Sequence, residues 1–257
     1  MNRTNGVVYP ISHVKTNQKV FDLLHRHDLS NVSILDVGAG EGYFSKLLGE
    51  SIERRYSVPP KRILRACDLF PENFKYGGVT CDRVDQSGKL PYEDNSYHYV
   101  CSLEVIEHLE NQFAFVRELH RVLKKSGRVI ITTPNILNIN SRIRFLHSGF
   151  WLLYDPLSSS TNHPVHDHIN PISLYYLTYM LYKAGFREVH LHFDKVKRSG
   201  LVYCFFLYPL LFLAGQGYNR RIKRKYPEIY RENREILRHV NRLPSLVSRT
   251  IILEGIK

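Results

Sequence analysis

Glu104, Glu107 and His108 stand within five positions of one another and carry side chains able to do acid–base or metal chemistry. If the string Leu103-Glu104-Val105-Ile106-Glu107-His108-Leu109 opens a helix, positions i, i+3 and i+4 share a face. Two carboxylates and an imidazole can then converge on one divalent cation. Such an O/N donor set suits Mg, Mn, Fe or Zn. A metal there would bind an acceptor hydroxyl, lower its pKa and orient its oxygen. The same residues also read without metal: Glu107 charging a helix N-terminus, and His108 acting as acid or base or as a hydrogen-bonded pocket residue.

A second constellation points to a cofactor. Ile34-Leu35-Asp36-Val37-Gly38-Ala39-Gly40-Glu41-Gly42 is a short apolar strand closed by an acidic residue and followed by a glycine-dense turn. Glycines at 38, 40 and 42 let the backbone bend sharply and approach a ligand without a Cβ in the way. G-x-G-x-G after a strand and before a helix indicates a nucleotide-like ligand; a turn that serves packing alone is the alternative.

The order of the remaining motifs gives a family. Asp36-Val-Gly-Ala-Gly-Glu-Gly, Asp68 after Ile63-Leu64-Arg65-Ala66-Cys67, and Leu90-Pro91-Tyr92-Glu93-Asp94-Asn95-Ser96-Tyr97 are followed by the Glu104 string. Glu118-Leu119-His120-Arg121-Val122-Leu123-Lys124 and Gly127-Arg128-Val129-Ile130-Ile131-Thr132-Thr133-Pro134-Asn135 complete the set. Over residues 30–135 the chain resembles class I S-adenosylmethionine (SAM) dependent methyltransferases, in the subgroup of ubiquinone-pathway O-methyltransferases and bacterial small-molecule and glycan methyltransferases. His98 departs from it, standing where that family usually has Asp.

The resemblance implies roles. Gly38, Ala39, Gly40 and Gly42 would present backbone N–H groups and a helix N-terminus to the methionine carboxylate. Asp36 would hold the methionine amine side, Asp68 the ribose hydroxyls, Leu69 the adenine ring and Asp85 its amine. Ser102 and Leu103 would line the cofactor pocket. Two related groups, small-RNA 2′-O-methyltransferases and some ubiquinone-pathway enzymes, build a metal site from Glu-x-x-Glu-His and a later histidine. His168 in Asp167-His168-Ile169-Asn170-Pro171 is the candidate for that position, with His163 and His166 as neighbouring alternatives. The resulting catalytic set is His108, Glu104, Glu107 and His168, the same four serving as metal ligands in the metal reading.

These residues need a frame. Strand-like runs near 33–37, 62–67, 78–82, 97–102, 127–133, 187–193 and 250–254 alternate with helical stretches, including Lys19–His27 and Pro171–Ala184. That alternation predicts an α/β fold, a Rossmann-like, seven-stranded, mostly parallel sheet with helices on both faces. We expect one domain over 1–257: an N-terminal cap at 1–30, a SAM-binding core at 31–137, an irregular substrate lid at 138–170 after the fifth strand, and an apolar and basic helical insertion at 200–249 between the last two strands.

Composition narrows the rest. Four cysteines without C-x-x-C spacing predict free thiols in a reducing compartment. The residues Met1–Gly6 show no apolar h-region, which predicts a cytoplasmic protein. Of the formal charge of +12, the segment 218–249 carries seven, from ten Lys or Arg against three Glu. It follows an uncharged run, Leu201–Ala214, which at fourteen residues is too short to span a bilayer, and Pro209 would kink it as a helix. That run reads either as buried core or, with the basic residues up to 225, as a peripheral contact with an anionic membrane on its inner face. The expected partners are therefore a small-molecule, lipid-linked or glycan acceptor and such a membrane. An RNA 2′-O-methyltransferase is the alternative, weakened by the lack of an RNA-binding module. A SAM-binding protein without activity is a further one.

Overall fold

The computed structural model describes residues 7–85, 87–160, 167–194 and 196–257. The strands are β1 (Ile34–Val37), β2 (Leu64–Asp68), β3 (Cys81–Arg83), β4 (Tyr97–Leu103), β5 (Leu123–Pro134), β6 (Val189–Phe193) and β7 (Thr250–Ile256). The helices are α1 (Val14–Leu24), α2 (Tyr43–Tyr56), α3 (Gln112–Val122), α4 (Ile139–Ser148), α5 (Leu174–Ala184), α6 (Arg198–Lys225), α7 (Pro227–His239) and α8 (Leu243–Val247).

The strand order is 3-2-1-4-5-7-6, with β7 antiparallel to both neighbours and the rest parallel. This is the predicted architecture. Apolar strands buried on both faces, such as Ile34–Val37, account for it. One core layer joins the sheet to α3 and α5, the other to α1 and α2. The order reverses between β1 and β4, so ligands belong beyond the carboxyl ends of those strands.

Two of the motifs prove to be scaffolding. Glu118 accepts from the Leu90 backbone N–H at 3.0 Å, and Arg121 donates to the Tyr92 and Leu90 carbonyls and to Asp94. Together they clamp the loop that feeds β4. His98 Nδ1 accepts from the Ser33 backbone N–H at 2.9 Å and ties the start of β4 to the start of β1, a local role.

Three expectations need correction. The N-terminal helix covers Val14–Leu24 in place of 19–27, because His13 caps it through Nδ1 to the Lys15 N–H. The region after β5 opens with a regular helix, α4, capped by the Asn138 side chain, before the irregular residues 149–160. The apolar run is half of a continuous 28-residue helix that keeps Pro209 inside it. By length and composition α6 could cross a membrane, and it is not core: only its Gly200 and Cys204 are buried. All four cysteines are free, as expected.

Candidate active site

The glycine turn leaves β1 at the switch point. Gly38, Gly40 and Gly42 all have positive φ, and a Cβ on Gly42 would lie 2.7 Å from the Phe74 ring. Only glycine takes that path without strain. The turn is held from both sides. Asp68 Oδ2 accepts from the Gly40 N–H at 2.8 Å, while Asp68 Oδ1 accepts from the Phe70 N–H. From the N-terminal side, the Tyr9 N–H donates to Glu41, and Ile11 lies over Gly40. Ala39 caps no helix but accepts through its carbonyl from Gly42, closing the turn.

Asp36 is buried at the end of β1 and accepts one hydrogen bond, from Ser45 Oγ at 2.7 Å. Burial, with Asp68 nearby, raises its pKa to about 7. Leu69 is half-buried just past β2. Asp85 sits past β3 at the same end of the sheet, its carboxylate accepting from the Ser87 N–H and hydroxyl. Ser102 and Leu103 are buried at the end of β4, and the Ser102 hydroxyl has no hydrogen-bond partner.

The Glu104 string does not open an α-helix. Glu104 takes a left-handed conformation at φ 54°, and a 3₁₀ turn follows over Ile106–His108. The two carboxylates therefore part. Glu104 accepts from Arg249 Nη1 at 2.8 Å and Thr250 Oγ1 at 3.1 Å, across the sheet at the start of β7. It does not join the cluster formed by Glu107, His108 and His168, whose ligand atoms all lie within 4.8 Å of one another. Of the four expected ligands, the structure brings these three together and places Glu104 apart.

Glu107 is fully buried and neither oxygen makes a hydrogen bond. Desolvation lifts its carboxyl to about 8. The Thr133 and Tyr154 hydroxyls, also buried and unpartnered, stand close enough to influence its protonation. His108 Nδ1 donates to the Asp167 carbonyl at 3.0 Å, and His168 Nδ1 donates to the Leu153 carbonyl at 2.6 Å. Each bond fixes the tautomer with the lone pair on Nε2, the arrangement common to metal-binding and general-base histidines. The two rings stand 4.8 Å apart, and Tyr154 packs on His168. His163 and His166 lie outside the described residues.

This cluster adjoins the glycine turn. Val105, between Glu104 and the 3₁₀ turn, packs on Gly38 so closely that a Cβ there would collide with it. The 3₁₀ turn is tied to the segment before α5 by the Asn170 N–H, which donates to the Glu107 carbonyl, and by Gln112, which bridges the Ile106 and Asn170 carbonyls.

A methyltransferase-domain family model matches residues 13–191. The chain belongs to this methyltransferase family. It is 29% identical over 140 residues to the ubiquinone biosynthesis O-methyltransferase of Rickettsia typhi, covering 51% of this chain and 52% of the relative. It is 33% identical over 106 residues to the chloroplastic tocopherol O-methyltransferase of Arabidopsis thaliana, covering 39% and 29%. The chain thus spans about half, or less, of the curated relatives' length. A SAM-dependent methyltransferase from Archaeoglobus fulgidus superposes with a TM-score of 0.54 at 18% identity, covering 94% of each chain, which shows the shared fold.

Sequence reasoning missed Arg249, Thr133, Tyr154 and Asp194. Asp194 accepts from Thr16 Oγ1 and from the Thr250 N–H, both at 2.9 Å, and joins α1 to the β6 and β7 ends. Thr133 alone had a signal, as part of the strand-five motif.

Proposed function

We propose that this chain transfers the methyl group of SAM to an oxygen of a small molecule, a lipid-linked intermediate or a glycan. The observation that carries this reading is the buried Glu107 carboxyl, without a hydrogen-bond partner, beside two imidazoles of fixed tautomer and next to a glycine turn at the switch point. The names of the Rickettsia and Arabidopsis relatives specify methylation on oxygen, in ubiquinone biosynthesis and of tocopherol. They support an oxygen acceptor here. The four free thiols support a cytoplasmic setting.

The fitting groups for SAM are the ones the motifs name. Asp36 would face the methionine ammonium, the Gly38–Gly42 turn its carboxylate, and Asp68 the ribose hydroxyls, with Leu69, Asp85, Ser102 and Leu103 around the adenosine. The buried Asp36 and the unpartnered Ser102 hydroxyl are the sort of polar groups a bound ligand satisfies. SAM supplies an activated methyl group. The protein then has to align the acceptor oxygen and take its proton. The proton would pass to His108 or His168, or to Glu107 only above about pH 8, where its carboxyl ionises. When bound, SAM would supply the methyl carbon to the acceptor oxygen, its C–S bonding pair staying with the sulfur.

A second reading uses the same atoms with a divalent cation such as Mg or Mn. Glu107, His108 and His168 would hold it, and the unpartnered buried carboxylate fits that demand. The cation would lower the pKa of the acceptor hydroxyl.

The test is transfer from methyl-labelled SAM into an extract of source cells, followed by phase partition and repeated after chelation. Label in organic or small aqueous products supports the proposal; label in nuclease-sensitive polymer, or none, overturns it. Activity lost to EDTA and restored by Mg or Mn supports the metal reading, and indifference to EDTA removes it.

A further inference from the structure

The structure assigns α6 to a membrane surface: we propose that its apolar half lies in the plane of an anionic bilayer with its basic end among the headgroups, without crossing.

Three observations carry this. The first is exposure of the wrong kind. Phe205, Phe206, Leu210 and Leu213 are 79%, 72%, 66% and 68% exposed, and Val202 is 60% exposed. They recur at helical spacing on one side of α6. Exposed apolar stretches of this size mark an interaction site.

The second is what holds the opposite side. Cys204 packs with Ile139 of α4 and with Leu246 and Val247 of α8. Farther along, Asn241 lies against Gly215, and its amide donates to the Leu211 carbonyl. Arg142 of α4 fixes Asn241 and the Val240 carbonyl in place. The first half of α6 is therefore seated lengthwise on its own protein. After one residue, Tyr226, the chain turns back through α7, whose Arg231, Arg234 and Arg238 could not follow α6 into hydrocarbon. A helix of 28 residues is about 42 Å long, enough to span, yet both of its flanks return to the same sheet. Lying in the interface satisfies length, composition and connectivity together.

The third is charge. Arg220, Arg221, Lys223, Arg224 and Lys225 follow the apolar half directly, with no acidic residue among them. A basic cluster adjoining an apolar face is complementary to anionic lipid, whereas a second copy of this chain would bring the same charge against itself.

The placement has a consequence for the acceptor, which rests on the methyl-transfer reading above. The insertion leaves at the carboxyl end of β6 and re-enters at the amino end of antiparallel β7, the side of the sheet that carries the glycine turn and Glu107. Asn140 of α4 donates to Ser199 at the start of α6, and Ile139 packs on Cys204, so the helix after β5 is joined to the docking helix. A membrane held by α6 thus meets the molecule where an acceptor enters, and the acceptor is an amphipathic molecule resident in that membrane.

The experiment is flotation of the full chain with phosphatidylcholine vesicles, with and without phosphatidylglycerol. At low salt the protein is expected to float with the anionic vesicles. Raising salt to 0.5 M is expected to cut the bound fraction by about tenfold. The triple variant Phe205→Glu, Phe206→Glu, Leu210→Glu changes only exposed positions. It is expected to stay at the bottom while its helix content and SAM affinity match the parent. Parent protein that fails to float at low salt overturns the docking proposal, as does a triple variant that still floats. So does a parent dimer that the variant converts to monomer, since a second copy would then cover the face. Bound protein that resists alkaline carbonate extraction overturns the in-plane geometry in favour of a span. None of these outcomes touches label transfer in the assay above, so the two readings fail separately.

Discussion

Asp36, proposed above to face the methionine ammonium, would couple cofactor binding to pH. In the ligand-free protein its pKa is about 7, raised by desolvation from an ordinary 3.8. The folded state therefore holds a proton that the unfolded state has released. Asp36 imposes no penalty below about pH 4; the penalty grows as pH rises from about 4 to 7 and is complete above that. A bound ammonium favours the ionised form, so SAM binding should expel that proton. Below pH 7 the affinity for SAM is expected to fall by about tenfold per unit; calorimetry between pH 5.5 and 8, in buffers of different ionisation heat, measures both the affinity and the proton released. A flat profile would remove Asp36 from the ammonium. The two glutamates of the Glu104 string separate by a different measurement. Glu104→Ala leaves Arg249 facing a void, and breaking this partly buried pair should cost about 2 kcal/mol and lower Tm by roughly 4–8 °C. Glu107→Gln replaces a carboxyl that holds its proton at neutral pH with an amide of the same shape. Tm should hold, while above about pH 8, where the parent carboxyl ionises, methyl transfer falls by about 10²- to 10⁴-fold. Equal effects of the two variants on Tm would contradict the assignment.

At the scale of elements, what the sequence made legible was local. Strand, glycine turn and helix follow one another within fifteen residues, so Gly38–Gly42 and Asp36 could be placed from spacing alone. The Glu104 string could not, because its geometry is decided by Arg249, 145 positions away. An i, i+3, i+4 pattern then met a left-handed residue and a 3₁₀ turn in place of a helix. The length of α6 was hidden for a related reason: the uncharged run ends at Ala214, whereas the helix, packed on α4, α8 and Asn241 up to Gly215, runs on to Lys225. Long-range ties of this kind also govern the N-terminal cap. Asp194 satisfies Thr16 of α1 and the first N–H of β7 at once. Asp194→Ala orphans both donors, at a cost of about 1–3 kcal/mol. Loss is expected first in α1, whose amides over residues 14–24 should exchange faster with deuterium while those of β4 and β5 keep their protection. Uniform loss across the sheet would mean the tie is global, not a latch on the cap.

At the scale of the whole molecule, the two unusual features occupy one side. The segment 218–249 carries seven of the twelve net positive charges, and the exposed apolar half of α6 adjoins it, while the glycine turn, Asp68 and Ser102 lie at the carboxyl ends of the strands. An enzyme held in this orientation takes its acceptor from two dimensions, so the rate should follow the mole fraction of acceptor in the bilayer and not its amount per volume. Once the acceptor is identified by phase partition, it can be embedded in anionic vesicles and diluted with inert lipid at constant bulk concentration. Transfer is expected to fall in proportion to that dilution. A water-soluble short-chain version of the same acceptor should be methylated at a rate that added vesicles do not change. The triple variant of α6 should lose the first reaction by about tenfold or more and keep the second, because its substitutions lie on the exposed face and leave the cofactor turn, Glu107 and both histidines untouched. If the variant slows both reactions alike, α6 supports the fold of the site; if lipid dilution leaves the parent rate unchanged, the acceptor reaches Glu107 from solution.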